Sequence, residues 1–113
     1  MSPLSFPRQG DVYWTALDPT VGSEMRKTRP CVVMTASKIN QYRRTVVVIP
    51  LSTTSPKDFP LYVALPSISQ NSQAVIDQIR VVDKSRLGDW KAKVTPAELD
   101  DLICAMGLVF SLA

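Results

Sequence analysis

The chain has 113 residues, 45% of them hydrophobic and 20% charged, a composition that argues against intrinsic disorder and predicts one folded domain over residues 1–113. It contains no histidine, which excludes the side chain that most often serves as general base and metal ligand. Prolines and polar residues interrupt its uncharged stretches, so we expect neither a secretory leader nor a membrane span, and therefore a cytoplasmic protein.

The net charge of +3 is unevenly distributed along the chain. All 13 lysines and arginines precede Thr95, whereas the segment from Thr95 onward carries three acidic residues and no basic one. A basic body with a mildly acidic tail suits a polyanion such as a nucleic acid. It suits an acidic protein partner as well, and a slightly basic protein with neither partner would have the same composition.

Cys31 and Cys104 each lie in an apolar run, which predicts two buried free thiols. A disulfide or a metal site is not expected, because the chain has no CxxC spacing and no histidine. The sequence therefore implies no metal and no other cofactor.

Short strand-like runs follow one another along the chain. Residues 10–17 are rich in aromatic and β-branched side chains, and residues 30–35 form a nearly continuous apolar run, so both predict strands. Ser37 is expected to cap a short helical turn. The remaining predicted strands are residues 45–51, with a bulge or an edge at Pro50, and residues 61–65, 73–82 and 87–94.

Thr95-Pro96-Ala97-Glu98 predicts the start of a helix, with threonine as N-cap, proline at the first position and glutamate at the third. Apolar residues then recur on one helical face, and we expect them to pack on the core: Leu99, Leu102, Ile103, Met106 and Phe110. Five or six short strands followed by a helix predict a mainly β fold with a C-terminal α-helix, a compact SH3-like barrel.

Three segments together resemble a known family. The run GDVYW…LDPTVGSE…RP, which begins at Gly10, resembles the signature of the MazF/PemK (Kid) family of toxin–antitoxin endoribonucleases. VVIPLSTTSPKDFPLYVAL and VIDQIRVVDKSRL resemble the next two conserved blocks of that family. The resemblance extends from Gly10 into the C-terminal helix, in the family's order and spacing.

This resemblance implies a barrel like that of the gyrase poison CcdB, assembled as a homodimer. It implies metal-independent cleavage of single-stranded RNA at short sequences, leaving 2′,3′-cyclic phosphate and 5′-hydroxyl ends. It also implies a partner, an antitoxin of the MazE/PemI type, whose acidic and disordered C-terminal segment would block the site.

RNA supplies its own nucleophile, the 2′-hydroxyl, so the protein must align it, accept its proton and stabilise the charge that develops on phosphorus. The resemblance implies that Arg29 grips the phosphate, although pairing with a carboxylate such as Glu24 would be its structural alternative. Ser52 matches the family's catalytic threonine, and Thr53 stands beside it. Because side chains alternate along a strand, one hydroxyl is expected to face the site, and we favour Ser52.

Two acidic residues are candidates for the remaining catalytic work. Glu24 is expected to orient Arg29 or act as a base, with a solvated loop carboxylate as the alternative. Asp77 and Gln78 match the family's acid–glutamine pair, on the strand predicted over residues 73–82. Asp77 is a candidate general base or a residue that reads the edge of a base, and Gln78 is a candidate for reading a base edge. A mid-strand aspartate is costly to bury, so we expect it to be paired or to face a groove.

Cationic and aromatic side chains are candidates for contacts along the RNA. Phe59 lies in a polar loop and is the better candidate for stacking on a base. Tyr13 and Trp14 could stack on bases too, but we favour a place in the barrel core for both. The other residues expected to bind RNA are Arg26, Lys27, Thr28, Lys57 and Arg80.

Two other functions stay open at this point. A non-catalytic, CcdB-like inhibitor would bind a protein target such as DNA gyrase, and a bare nucleic-acid-binding domain would bind without cutting. A phosphate-binding Arg29 with nearby hydroxyls favours the nuclease over the protein poison. The basic body fits the nuclease and the binding domain equally, so a cleavage assay must separate them.

Overall fold

The computed structural model describes residues 6–17 and 28–112 of the chain. Within these ranges the chain forms seven strands, two turns of 3-10 helix, one short α-helix and one long one. In chain order they are β1 (Asp11–Ala16), β2 (Thr28–Val33), α1 (Ser37–Asn40), β3 (Thr45–Thr53), β4 (Tyr62–Ala64), β5 (Ser72–Val75), a 3-10 turn (Ile76–Gln78), β6 (Arg80–Asp83), a second 3-10 turn (Lys84–Arg86), β7 (Leu87–Lys93) and α2 (Pro96–Val109).

The strands form an antiparallel sheet in the order β4-β5-β3-β2-β1-β7. β3 is the longest strand and takes part in several ladders: it pairs with β2, its first residues pair with β6, and its last residues pair with β5. The sheet is open, with β4 and β7 at its ends, which is consistent with a barrel-like fold. The mainly β fold with a C-terminal helix is therefore confirmed.

Two apolar clusters pack on the two faces of the sheet. Because neighbouring side chains of a strand point to opposite faces, Val12 and Val32 belong to one cluster, and Tyr13 and Val33 belong to the other. α2 covers the first cluster, in which its Leu102 is fully buried. We call the side of Val12 and Val32 the helix-side face, and the side of Tyr13 and Val33 the opposite face.

The two helices begin differently. At α2 the predicted capping box is present: the Thr95 hydroxyl accepts a hydrogen bond from the Glu98 N–H at 3.1 Å, and Glu98 Oε1 accepts one from the Thr95 N–H at 2.9 Å. At α1 the expected cap is wrong, because the N-cap residue is Ala36 and no side chain caps the helix. The Ser37 hydroxyl instead accepts a hydrogen bond from the Gln9 N–H at 3.0 Å.

The apolar stripe predicted for α2 is only partly buried. Leu102 is buried, and Leu99 and Met106 pack against the helix-side cluster. Ile103 and Phe110, which we expected to pack in the same way, are 49% and 40% exposed. A helix lying on a sheet buries one narrow row of side chains, so the flanking positions stay at the surface.

The strand predicted over residues 73–82 is wrong as a single strand. Val48 pairs with Arg80, and Leu51 pairs with Ala74. A continuous ladder would have placed Asp77 opposite Leu51, so three residues are excluded from the ladder. They form the 3-10 turn between β5 and β6, where the Ile79 N–H donates to the Ile76 carbonyl at 3.2 Å. The aspartate is consequently exposed, not buried in a strand.

The two cysteines lie in different environments. Cys31 is buried, as predicted, but Cys104 is exposed on α2, so that prediction was wrong for the second cysteine. No helix in the described part of the chain is both long and apolar enough to cross a membrane.

Candidate active site

The candidate site lies where β2 and β3 separate. The ladder between them covers residues 31–33 of β2 and 48–50 of β3. Before Cys31, β2 continues beside β1, and after Pro50, β3 continues beside β5. The strands therefore part at the positions that carry the predicted catalytic residues, and we call the opening between them the cleft.

Strand register assigns the catalytic candidates to faces of the sheet. Cys31 and Pro50 are directly paired, so their side chains share a face. Arg29 lies two residues before Cys31, and Ser52 lies two residues after Pro50, so alternation assigns both to that same face. This is the opposite face, because Cys31 packs in the cluster of Tyr13 and Val33.

Arg80 shares this face with Arg29. Burial raises the pKa of the Cys31 thiol to about 11, against the lowering effects of a hydrogen bond with Thr15 and of the charges on Arg80 and Arg29. Strand register places both arginines on the face of this thiol, because Val48 belongs to the same cluster as Cys31. Arg80 lies on β6, where it pairs with Val48. The structure therefore brings together two of the predicted phosphate-binding arginines.

The Nε atom of Arg29 is suited to bind an external ligand. Arg29 Nε is buried and has no hydrogen-bond partner among the residues that the structure describes. An unpaired buried N–H of a charged group is costly, and an anionic acceptor would remove that cost. The phosphate of a substrate in the cleft is such an acceptor.

A concave surface lies at the cleft, mainly on the helix-side face, and Arg29 is among the residues that line it. Its volume is about 340 Å³, and we call it the groove. Thr53 lines it, paired across the β3–β5 ladder with Ser72, which lines it too. Its other lining residues are Trp14, Thr28, Pro30, Ser69 and Lys91.

The structure thus separates the two hydroxyls that the sequence left as alternatives. β3 continues through Thr53, so Ser52 and Thr53 point to opposite faces. Strand alternation assigns Ser52 to the face of Arg29, whereas Thr53 lines the groove, which Arg29 lines too. Strand register thus pairs Arg29 with Ser52, whereas the lining of the groove brings Arg29 together with Thr53. Which hydroxyl takes part in catalysis stays a prediction.

The acid–glutamine pair lies on the 3-10 turn that leads into Arg80. Asp77 is exposed and makes no hydrogen bond or ion pair with the described residues, and Gln78 is half-buried. Because the turn is at the surface, the burial cost that we expected for a mid-strand aspartate does not arise. The roles proposed for both residues stay predictions.

A buried glutamine fixes the loop that carries Lys57 and Phe59. The Gln73 amide donates to the carbonyls of Thr54 and Ser55 at 3.3 and 3.1 Å, and its oxygen accepts from the Lys57 N–H at 2.9 Å. Phe59, two residues further on, is half-exposed, as a base-stacking side chain must be. Our sequence reasoning missed Gln73, although its position opposite Ser52 follows from the β3–β5 pairing.

Trp14 is not where the sequence placed it. Tyr13 is fully buried, as expected, but Trp14 is 39% exposed in the groove. The groove residues Ser69, Ser72 and Lys91 were also missed. Two adjacent aromatic residues on one strand cannot share a face, and this was the available signal that one of them lies outside its neighbour's cluster.

Three of the predicted site residues cannot be located: Glu24, Arg26 and Lys27 lie outside the described residues. Thr28 is described and exposed at the edge of the groove. In the described ranges, no group of three or more cysteine, aspartate or glutamate side chains is arranged to hold a metal ion.

Comparison with known proteins gives a consistent result. The model of a family described as the PemK-like, MazF-like toxin of type II toxin–antitoxin systems matches residues 8–110. The endoribonuclease toxin MazF of Escherichia coli K12 is 33% identical over 94 residues, which cover 82% of this chain and 84% of that protein. The endoribonuclease EndoA of Bacillus subtilis is 33% identical over 99 residues, 83% of this chain and 81% of that protein.

Solved structures show the same fold. An endoribonuclease from a mycobacterial species, in complex with its cognate antitoxin, superposes with a TM-score of 0.80 at 27% identity, covering 95% of this chain and 97% of that one. MazF of Deinococcus radiodurans superposes with a TM-score of 0.82 at 22% identity, over 94% and 97% of the two chains. These neighbours confirm the MazF-type fold that the sequence resemblance implied.

Proposed function

This chain belongs to the family of PemK-like, MazF-like toxins of type II toxin–antitoxin systems, and on that premise we propose that it is an endoribonuclease that cleaves single-stranded RNA without a metal ion. Its relatives are named endoribonucleases, and its own cleft carries groups suited to a phosphodiester. Cutting messenger RNA in the cytoplasm would stop translation and growth.

One observation carries the proposal most directly, the buried Arg29 Nε that lacks a partner within the described ranges. Strand register assigns Arg80 to the same face as Arg29, so two permanent positive charges flank the cleft. Together they supply the stabilisation of phosphorane charge that other nucleases obtain from a metal ion. The Ser52 hydroxyl, on the same face, donates to a phosphate oxygen.

We propose the following reaction for this arrangement. The 2′-hydroxyl oxygen bonds to the adjacent phosphorus while its proton passes to a carboxylate, for which Asp77 and Glu24 are the candidates. The bond from phosphorus to the 5′ oxygen breaks, and that oxygen takes up one proton, which balances the proton released from the 2′-hydroxyl. The products are a 2′,3′-cyclic phosphate and a 5′-hydroxyl, and the atoms balance without water or cofactor.

Three kinds of partner follow. The RNA path runs from the cleft over Thr28, Lys57, Phe59, Gln78 and Arg80, with Arg26 and Lys27 as further contacts. An antitoxin partner is supported by the mycobacterial neighbour, which is in complex with its cognate antitoxin. We propose that the antitoxin of this chain is MazE/PemI-like and that its acidic C-terminal segment neutralises these cations. A homodimer is supported by the exposed apolar side of α2.

The test is cleavage of a long single-stranded RNA by the purified protein in excess EDTA, with mapped product ends. We expect cuts at one short motif that end in cyclic phosphate. Arg29→Ala should lower the rate by at least ~100-fold, the loss typical of removing one transition-state donor. Arg8→Ala is the matched control: Arg8 lies beyond the far end of β1, over the Phe6 ring at 4.4 Å, and its loss should leave cleavage unchanged.

Two results would contradict the proposal. Normal cleavage by folded Arg29→Ala would show that the site is elsewhere. No cleavage by the folded wild-type protein would favour a binder, either of nucleic acid or of a protein such as gyrase.

A further inference from the structure

We infer that the groove on the helix-side face is a substrate-binding site for a nucleotide next to the scissile phosphate, with Trp14 as the surface for its base and Lys91 as the cation for its phosphate. This inference rests on the proposed ribonuclease function and adds residues to it that the sequence did not assign. If it is correct, the groove contributes to the choice of the RNA sequence that is cut.

The position of Lys91 comes from an irregularity in β7. Val12 pairs with Ala92, and Tyr13 pairs with Trp90, so no residue of β1 stands opposite Lys91. An extra residue in one strand of an antiparallel pair is a β-bulge, which redirects a side chain and often lies beside a functional site. Here the redirected side chain lines the groove.

The bulge brings a cation to an exposed aromatic surface. Lys91 Nζ lies 5.2 Å from the centroid of the Trp14 ring, within the range of a cation–π contact. β7 also passes close to Trp14 at Gly88, where a Cβ atom would lie 3.1 Å from the Trp14 carbonyl oxygen. The bulge and this close approach place the lysine and the indole side by side.

Lys91 and Trp14 can give up their contact with each other and contact RNA instead. A cation–π contact between exposed groups is weak, whereas an ammonium group binds a phosphate strongly and releases counterions. When Lys91 moves to a phosphate, the indole face that it covered becomes available for a base to stack on. In the RNA-free protein, the cation–π contact therefore keeps both side chains in position to bind the nucleotide.

Hydroxyl groups complete the groove. Thr53 and Ser72 face each other across the ladder, and Ser69 Oγ is hydrogen-bonded to Ser72 Oγ at 2.5 Å. Hydroxyls both donate and accept hydrogen bonds, so they suit the edge of a base or a ribose 2′-hydroxyl. The groove volume of about 340 Å³ is in the size range of small-ligand sites, so one nucleotide fits it better than a stretch of RNA.

The test measures binding to an RNA oligonucleotide that spans the wild-type cleavage site and carries a 2′-deoxynucleotide at the cut position, so that it binds without being cut. A companion set carries one abasic nucleotide at each flanking position in turn. We expect one abasic position to weaken wild-type binding by about 5- to 100-fold, the range for loss of a base–aromatic stack. Trp14→Leu should weaken binding of the intact RNA by a similar factor. The affinity of this variant should no longer depend on whether that position carries a base.

Further variants separate stacking and charge from structural damage. Trp14→Phe should restore the sensitivity, because phenylalanine also stacks. Lys91→Gln should reduce the slope of log K against log salt by about 0.7, the value for one phosphate contact on single-stranded nucleic acid. The controls are Trp90→Leu, at a half-exposed tryptophan paired with Tyr13, and Lys38→Gln on α1, neither of which should change the abasic pattern or the slope.

The outcomes distinguish this inference from the function on which it rests. If the wild-type protein fails to cleave the all-ribose RNA, the proposed function fails. If it cleaves, but Trp14→Leu weakens every RNA of the set equally or weakens none, the groove is not a base site and this inference alone is overturned.

Discussion

At the scale of single residues, the positions of two adjacent hydroxyls lead to different expectations for their roles. Ser52 shares a face with Arg29 by strand alternation, whereas Thr53 lines the groove, as Arg29 does. Ser52→Ala should lower kcat by about 100-fold or more, because it removes a donor to the transition state, with KM little changed. Thr53→Ala should act mainly on KM, because its hydroxyl is in the binding groove.

The measurement is steady-state cleavage of a short RNA by each variant, with Ser55→Ala as an exposed control on the following loop. The opposite pattern, with kcat lost in Thr53→Ala and retained in Ser52→Ala, would show that β3 presents Thr53 to the phosphate.

Residue types were easier to predict from the sequence than their surroundings. Arg29 could be singled out because it lies before a proline at the start of an apolar strand. Trp14 could not be placed, because alternation shows that it and Tyr13 point to different faces but not which face is covered. Lys91 lines the groove because of a bulge, and nothing in the letters of β7 marks the extra residue.

At the scale of elements, the loop after β3 depends on one buried side chain. Gln73→Ala removes all three hydrogen bonds that its amide makes to Thr54, Ser55 and Lys57. Since each contributes about 1 kcal/mol net, the Lys57 amide should exchange with solvent faster by roughly tenfold. KM for RNA should rise as well, because Lys57 and Phe59 lose their fixed positions.

Hydrogen exchange over residues 54–60 measures this effect. Gln70→Ala is the matched control, because Gln70 is an exposed glutamine in the turn before β5. Unchanged exchange in Gln73→Ala would mean that the loop is held by other contacts.

The start of α2 makes stability depend on pH through Glu98. Burial works against ionisation of this carboxylate and is the largest single influence, but hydrogen bonds from Ser67 and Thr95 together outweigh it and lower its pKa below the ordinary 4.5. A group whose pKa is lower in the folded state adds stability above its unfolded pKa. That stability is lost as the pH falls through the folded value.

Glu98→Gln should therefore lower the free energy of unfolding by ~1–3 kcal/mol at pH 7, the usual cost of leaving buried hydrogen-bonding groups unpaired. The difference from wild type should shrink as the pH falls below 4.5. Urea unfolding between pH 2.5 and 7 measures it, with Asp100→Asn, an exposed carboxylate of the same helix, as the control. A difference that stays constant with pH would contradict this account.

Elements with strong local signals were predictable, and the one governed by long-range pairing was not. The cap of α2 follows from four consecutive residues. The run of residues 73–82 reads as one strand, because its composition does not reveal that its first part pairs with the end of β3 and its last part with the start of β3. The resulting turn carries Asp77 and Gln78, so the error fell on candidate site residues.

At the scale of the whole molecule, the exposed side of α2 is the surface on which a second copy is expected. Ile103, Leu108 and Leu112 are 49%, 58% and 68% exposed. With Met34 they line an apolar concave surface of about 480 Å³, which also contains Cys104. Apolar surface collected in one patch marks an interaction site more often than single exposed side chains do.

Leu108→Asp should therefore give a monomer in light scattering at concentrations where the wild type is a dimer, because a charge in an apolar interface would be buried without a partner. Val81→Asp, at another exposed apolar residue, on β6, should leave the dimer intact. The Cys104 thiol gives a second readout: its labelling should slow as wild-type concentration rises and stay fast in Leu108→Asp. A dimer that survives Leu108→Asp and is lost in Val81→Asp would move the interface to β6, beside Arg80 and the cleft.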